Sequence, residues 1–274
     1  MVNLAANKCC IHTFNWIVFL NESPMTAIVF DLDGTLIDSV GDIHAALNQM
    51  LARAGHSPLG KDTVTSFVGK GSANLVARVI DYVGLPNDAA SHNNYLSEFL
   101  DIYTSAPAKF TTLFDQVQKV LTEFQQSGIA LGLCTNKPEA TTAVVLEKFG
   151  LTEFFASIVG GDRLPSCKPD PAMLHLVMRE LAVERCLFVG DSEVDVATAK
   201  AAGMPIALFT QGYRQTSVAE LAPDYDFDDF KNYLRSLWKS ETYKNEDIKE
   251  WNDFGDIPAK ECRILIALIR KAQK

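Results

Sequence analysis

Short, largely apolar runs recur along this chain, separated by longer stretches in which apolar residues return every three or four positions. Residues 26–31 (TAIVFD) form the first run, and 129–134 (IALGLC), 157–161 (SIVGG), 186–191 (CLFVGD) and 205–210 (PIALFT) follow. Runs of this length without polar alternation predict strands buried on both faces, the texture of a parallel sheet. The stretches 114–127, 138–149, 171–182 and 193–202 read as helices, and Gly128, Gly150 and Gly203 stand where a left-handed residue after a helix is expected. Strand–helix alternation of this kind predicts an α/β fold, a doubly wound parallel sheet.

One segment departs from the alternation. From 41 to 106 the pattern is helical throughout: DIHAALNQMLARAG places apolar residues at 43, 46, 47, 50 and 51, and NLVARVIDYVG and NNYLSEFLDIYTSA read the same way. This is too long for an ordinary loop and predicts an inserted all-helical unit. The expected organisation is an N-terminal extension over 1–24, a core built from 25–40 and 107–238, the helical insert over 41–106, and a C-terminal extension over 239–274. His12 and Asn15 interrupt the apolar stretch 9–20, and no small-residue cleavage pattern follows it, so an extension ahead of Met25 is expected rather than a signal peptide. Near the other end, IPAKECRILIALIRKAQK predicts a helix over 258–272 whose broad apolar stripe packs on the protein's own surface or on a second copy. A monomer and a homodimer both fit that expectation.

Composition narrows the function classes. A hydrophobic content of 47% supports a sizeable core rather than a disordered chain. A formal charge of −9 argues against an extended nucleic-acid surface, which needs basic patches. It leaves small anionic substrates open, because a bound cation inverts the local field. The 6 cysteines include no C-x-x-C pair, so a zinc site is not expected; Cys134 and Cys186 lie inside apolar runs and read as core residues. A reduced, cytoplasmic setting is the expectation. No run is apolar for long enough to span a membrane.

Candidate chemistry collects where strands end, which is where open parallel sheets bind ligands. Asp31 and Asp33 follow the first run, Thr135 and Asn136 follow IALGLC, and Asp191 follows CLFVG with Asp195 one helical turn on. Lys168 stands in SCKPDP, in the approach to the helix that Pro171 opens. Two carboxylates on one side of an extended segment repel each other unless a cation sits among them, and hard oxygen ligands of this kind suit Mg²⁺.

In that order, DLDGTLIDS, LCTNKP, CKPDP and GDSEVD resemble the four motifs of haloacid-dehalogenase-superfamily phosphatases over about residues 26–238. FVGKGSANLVARVI (67–80) in the insert and SIVGGDRLPSCKPDP are similar to bacterial phosphoglycolate phosphatases. The resemblance implies a Rossmann-like core with a helical cap, and a Mg²⁺-dependent phosphatase acting on a small phosphorylated metabolite. It implies Asp31 as nucleophile, Asp33 as general acid and base, Thr135 and Asn136 as donors to the phosphoryl group, and Lys168 as its neutralising cation. It implies metal ligation by the side chains of Asp31 and Asp191 and the carbonyl of Asp33, with Asp195 in an outer position. Gly34 and Thr35 are expected at the phosphate, and Lys70, Gly71 and Arg78 at the rest of the substrate, with Lys70 meeting a carboxylate. Another phosphatase specificity, pyrophosphate hydrolysis, a hexose-phosphate mutase reaction and a catalytically idle binding protein are the alternatives. Relatives also carry Pro-Gly ahead of the helix that re-enters the core, where this chain has Asp115-Gln116.

Overall fold

All five apolar runs form strands and lie in one sheet. The computed structural model describes residues 27–105 and 108–231; the expected N-terminal extension and the helix expected over 258–272 lie outside the described residues. In chain order the strands are β1 (Ala27–Phe30), β2 (Ile37–Asp38), β3 (Thr112–Leu113), β4 (Ala130–Cys134), β5 (Ser157–Val159), β6 (Cys186–Gly190), β7 (Ile206–Phe209) and β8 (Tyr225–Phe227). Six of them make a sheet in the order β5-β4-β1-β6-β7-β8, and every pairing within it is parallel. β1 is central, with Ala27 opposite both Ala130 of β4 and Cys186 of β6. The chain leaves β1 towards one side and returns to build β6 on the other. The crevice at the carboxyl end of β1 is therefore the switch point where such sheets bind ligands.

The helices are α1 (Val40–Arg53), α2 (Lys61–Thr65), α3 (Gly71–Val83), α4 (Ala89–Ser105), α5 (Val117–Gln126), α6 (Glu139–Lys148), α7 (Ala172–Glu180), α8 (Glu193–Ala202) and α9 (Val218–Leu221). Strand alternation sorts them. Ile28 and Phe30 of β1 pack with Val120 and Leu121 of α5 and Val145 of α6, whereas Ala27 and Val29 pack with Met173 of α7 and Val196 of α8. Each face of the sheet thus has its own apolar layer, as a doubly wound sheet requires. A third cluster, including Leu47, Met50, Val76, Ile80 and Phe99, draws its buried residues from 43–103 alone. α1 to α4 therefore carry a core of their own.

Three features lie beyond the sequence expectation. β2 and β3 pair antiparallel, tying together the two passages between the sheet and the helical insert. β8 adds an edge strand whose central Asp226 is exposed; a charged residue in a three-residue strand leaves no apolar signal to read. Gln116 takes a left-handed backbone with φ 63° immediately before α5.

Candidate active site

β1 ends in Asp31, whose backbone N–H still donates to Val189 O at 2.8 Å, so its side chain is held at the sheet's carboxyl edge beside β6. Gly34 then turns the chain with φ +90°, and a Cβ there would stand 2.5 Å from Asp191 Oδ2. Glycine is required twice over, for the backbone region and for the closeness of the carboxylate. Thr35, wholly buried, donates its hydroxyl to Asp191 Oδ1 at 3.0 Å, and Tyr213 N–H donates to Oδ2 at 2.6 Å. Asp191 is thereby aimed from both sides. Thr35 orients that carboxylate, a different task from the phosphate contact the resemblance implies.

Asp195 is fully buried in the first turn of α8 and fully committed. Its Oδ2 accepts from Ser192 Oγ at 2.7 Å, Ser192 N at 3.1 Å and Asp191 N at 3.2 Å. Its Oδ1 accepts from Lys168 Nζ at 2.6 Å, and the same ammonium lies 2.8 Å from Asp31 Oδ1. Lys168 thus bridges two carboxylates. Burial alone would lower its pKa, but Asp195 and Asp31 outweigh that and raise it, so it stays charged.

Oxygens of Asp31, Asp191 and Asp195 come within 4.8 Å of one another. Burial pushes the Asp31 carboxyl up to about 7, opposed by Lys168 and reinforced by Asp195 and Asp33. Burial, then Asp195 and Asp31, push Asp191 well above the usual carboxylate range. Carboxylates gathered in this way, short of positive charge, fit a divalent cation. Asp31 and Asp191 are the side chains suited to hold it: each oxygen of Asp191 accepts one hydrogen bond and keeps a lone pair, whereas Asp195 Oδ2 already accepts three and its Oδ1 is paired with Lys168.

At the end of β4, Thr135 is buried and lines the cavity beside Asp31 and Asp33. Asn136 also lines it, but its side-chain amide is bonded to backbone. Its Nδ2 donates to Lys168 O at 3.0 Å and Gly69 O at 3.1 Å, and its Oδ1 accepts from Lys168 N at 2.9 Å. An expected phosphate donor here has its amide hydrogens committed to the backbone, bracing the Lys168 turn and fastening the insert to the core. Gly71, with φ +82°, supports that closure, since a Cβ there would stand 3.2 Å from Asn136 O.

Sequence reading passed over Lys137. It is 3% exposed as a side chain and meets Asp33 Oδ1 at 2.9 Å and Oδ2 at 3.1 Å. It also donates to Tyr103 OH of α4 at 2.5 Å. Burial works against its charge, but Asp33 prevails and raises its pKa. Ser39 Oγ completes the set by donating to Asp33 Oδ1 at 2.5 Å. The only signal in the sequence is a lysine one residue past the strand-end Thr-Asn pair.

The insert roofs this edge. Gly69, Gly71, Ser72 and Tyr103 line one small cavity together with the two aspartates and Lys137. Two expected residues do not reach it. Lys70 is exposed and absent from the lining. Arg78 is exposed, donates to Ser66 O at 2.8 Å and stacks 4.5 Å from the Phe67 ring centre, so it secures the insert's own turn. A lysine or arginine that can extend into water does so unless a buried anion draws it in.

Residues 28–209 match the profile of the family described as haloacid dehalogenase-like hydrolase. A phosphoglycolate phosphatase of Cereibacter sphaeroides (strain ATCC 17029) is 44% identical over 197 residues, 72% of this chain and 90% of that protein. One from Rhodospirillum rubrum is 40% identical over 210 residues, 74% of this chain and 87% of its own. Among solved structures, a predicted phosphoglycolate phosphatase from Haemophilus somnus superposes with a TM-score of 0.73 at 28% identity, covering 77% of this chain and 97% of that one.

Proposed function

This chain belongs to the haloacid dehalogenase-like hydrolases, and from that premise we propose that it is a Mg²⁺-dependent phosphatase that hydrolyses 2-phosphoglycolate to glycolate and phosphate. The observation that carries the reading is the convergence of Asp31, Asp33 and Thr135 on one cavity roofed by the insert, with Lys168 on Asp31. The substrate reading also draws on the relatives that bear that name.

Asp31 supplies the nucleophilic oxygen. It bonds to phosphorus as the bond to the glycolate oxygen breaks, leaving an aspartyl phosphate. Asp33 gives a proton to the departing alkoxide, then takes one from the water that attacks phosphorus and frees Asp31. Thr135 donates its hydroxyl to a phosphoryl oxygen, and Lys168 balances charge on Asp31 and the transferring group. Asp195 keeps Lys168 in place, and Thr35 with Tyr213 keeps Asp191 in place. Asp31 and Asp191 would hold a Mg²⁺ ion, which would supply charge shielding between the attacking carboxylate and the phosphate. The helical insert acts as a cap that limits the access of water to the cavity.

The 134 and 186 thiols are buried and free, which suits a reducing cytoplasm. Among the described residues no helix is long and apolar enough to cross a membrane. A panel of phosphate esters ranked by kcat/KM tests the proposal. 2-Phosphoglycolate should lead, EDTA should stop phosphate release, and Asp31→Asn should abolish turnover in a folded protein. A panel led by a hexose phosphate or pyrophosphate would overturn the substrate, and full activity of Asp31→Asn would overturn the mechanism.

A further inference from the structure

Among the residues lining the cavity, Lys137 is the one cationic side chain. Its ammonium sits on the Asp33 side, and Lys168 sits on Asp31. The two aspartates therefore each have a buried lysine, and only Lys168 is accounted for by the phosphoryl chemistry. Lys70 and Arg78, the cations of the insert that sequence pointed to, stay outside. Much of the remaining wall is apolar, including Ile43, Leu75 and Phe99, so an anionic group entering there has no second cation to choose. The start of α3 supports the same polarity: Gly71 and Ser72 line the cavity and no side chain caps that helix end.

We infer that Lys137 reads the second anionic group of the substrate, and that its transfer from Asp33 to that group is what releases Asp33 for the reaction. This rests on the phosphatase reading above and names its substrate class: phosphomonoesters with a short alcohol part that carries a carboxylate. Lys137 touches both oxygens of Asp33, and Ser39 takes a further position on Oδ1. A substrate carboxylate beside the ammonium offers the same charge and geometry as Asp33 does, so the exchange leaves no buried cation unpaired. An ester without that carboxylate offers no such exchange, and Asp33 stays held. Tyr103 is the positioning residue, since its hydroxyl accepts from Lys137 Nζ and fixes the ammonium under the cap.

The test compares kcat/KM for 2-phosphoglycolate and for ethyl phosphate, which has the same two-carbon chain without the carboxylate. Wild type should prefer 2-phosphoglycolate. In Lys137→Met that preference should shrink about 10- to 100-fold, the range expected on losing one charge-assisted contact. Tyr103→Phe keeps the packing and should shrink it several-fold through KM for 2-phosphoglycolate, which keeps the test open should Lys137→Met fail to fold. Lys70→Met should leave the preference as in wild type. A preference retained in folded Lys137→Met, or in Tyr103→Phe, or lost in Lys70→Met instead, overturns the assignment of Lys137 while the substrate reading stands. A wild type with no preference for the carboxylate overturns both.

Discussion

Asp195→Asn isolates one oxygen in the most densely paired part of the site. The side chain is fully buried, and its Oδ2 accepts three hydrogen bonds, from Ser192 Oγ, Ser192 N and Asp191 N. An asparagine can keep all three by placing its carbonyl oxygen there. Its NH₂ group then faces Lys168 Nζ where Asp195 Oδ1 had accepted at 2.6 Å, donor against donor. The variant therefore removes one charged partner from a buried ammonium. Breaking a buried pair in this way costs about 3–5 kcal/mol. The lower end applies because Lys168 keeps Asp31 at 2.8 Å. For a protein of this size, about 3 kcal/mol corresponds to a fall in Tm of about 6–12 °C. Thermal and urea melts should be run in EDTA, so that no cation compensates for the altered charge. A double-mutant cycle with Lys168→Met should show strong coupling, because either change alone breaks the same pair. Turnover should also fall, since an ammonium left to Asp31 alone is no longer held in position. A melt within about 1 kcal/mol of wild type, or additive effects in the cycle, would refute the reasoning that Asp195 acts through Lys168.

Further outcomes follow from other contacts. In Gly212→Ala the added Cβ would stand 2.3 Å from the Cβ and Oδ2 of Asp191; the variant should lose about 1–3 kcal/mol of stability and need more Mg²⁺ for half-maximal activity, and an unchanged metal titration would contradict the role of Asp191. Gln116→Gly relieves a left-handed residue with φ 63° and should raise stability by about 0.5–1 kcal/mol after the entropy of glycine is counted, read as a small rise in Tm with turnover unchanged. Burial pushes the Cys186 thiol up to about 12. It should therefore resist iodoacetamide at pH 8.5 in the folded protein while the half-buried Cys167 is modified ahead of it, as peptide mass mapping would show. Below pH 9 that thiol is neutral in both states; between about 9 and 12 only the unfolded chain ionises, so stability should fall by about 1.4 kcal/mol per pH unit from this group.

What local pattern alone determined is considerable. β1, β4, β5, β6 and β7 are each visible as an apolar run, because a strand covered on both faces must be apolar at nearly every position. Asp31, Asp33, Thr135 and Asp191 could be placed at strand ends for the same reason: the polar residue that follows such a run sits where the sheet stops. Three helices of the insert, α1, α3 and α4, follow from their apolar spacing, whereas the five-residue α2 is too short to show a period, and the core the four share is seen only in the structure.

Only the tertiary structure decided which charge meets which. Lys137 and Asp33 lie 104 residues apart, and Thr35 and Asp191 lie 156 apart. Nothing in the spacing of either pair marks them as partners. Lys70, inside the more suggestive Gly-Lys-Gly, stays in water, whereas the less conspicuous Lys137 is buried against a carboxylate. Asn136 likewise turns its amide to the Lys168 backbone because a buried turn left without donors would be more costly than a phosphate contact forgone. Backbone pattern reflects which face of an element is dry, a property each segment carries by itself. The pairing of buried charges depends on which segments the fold brings into one dry place, and a single segment holds no record of that.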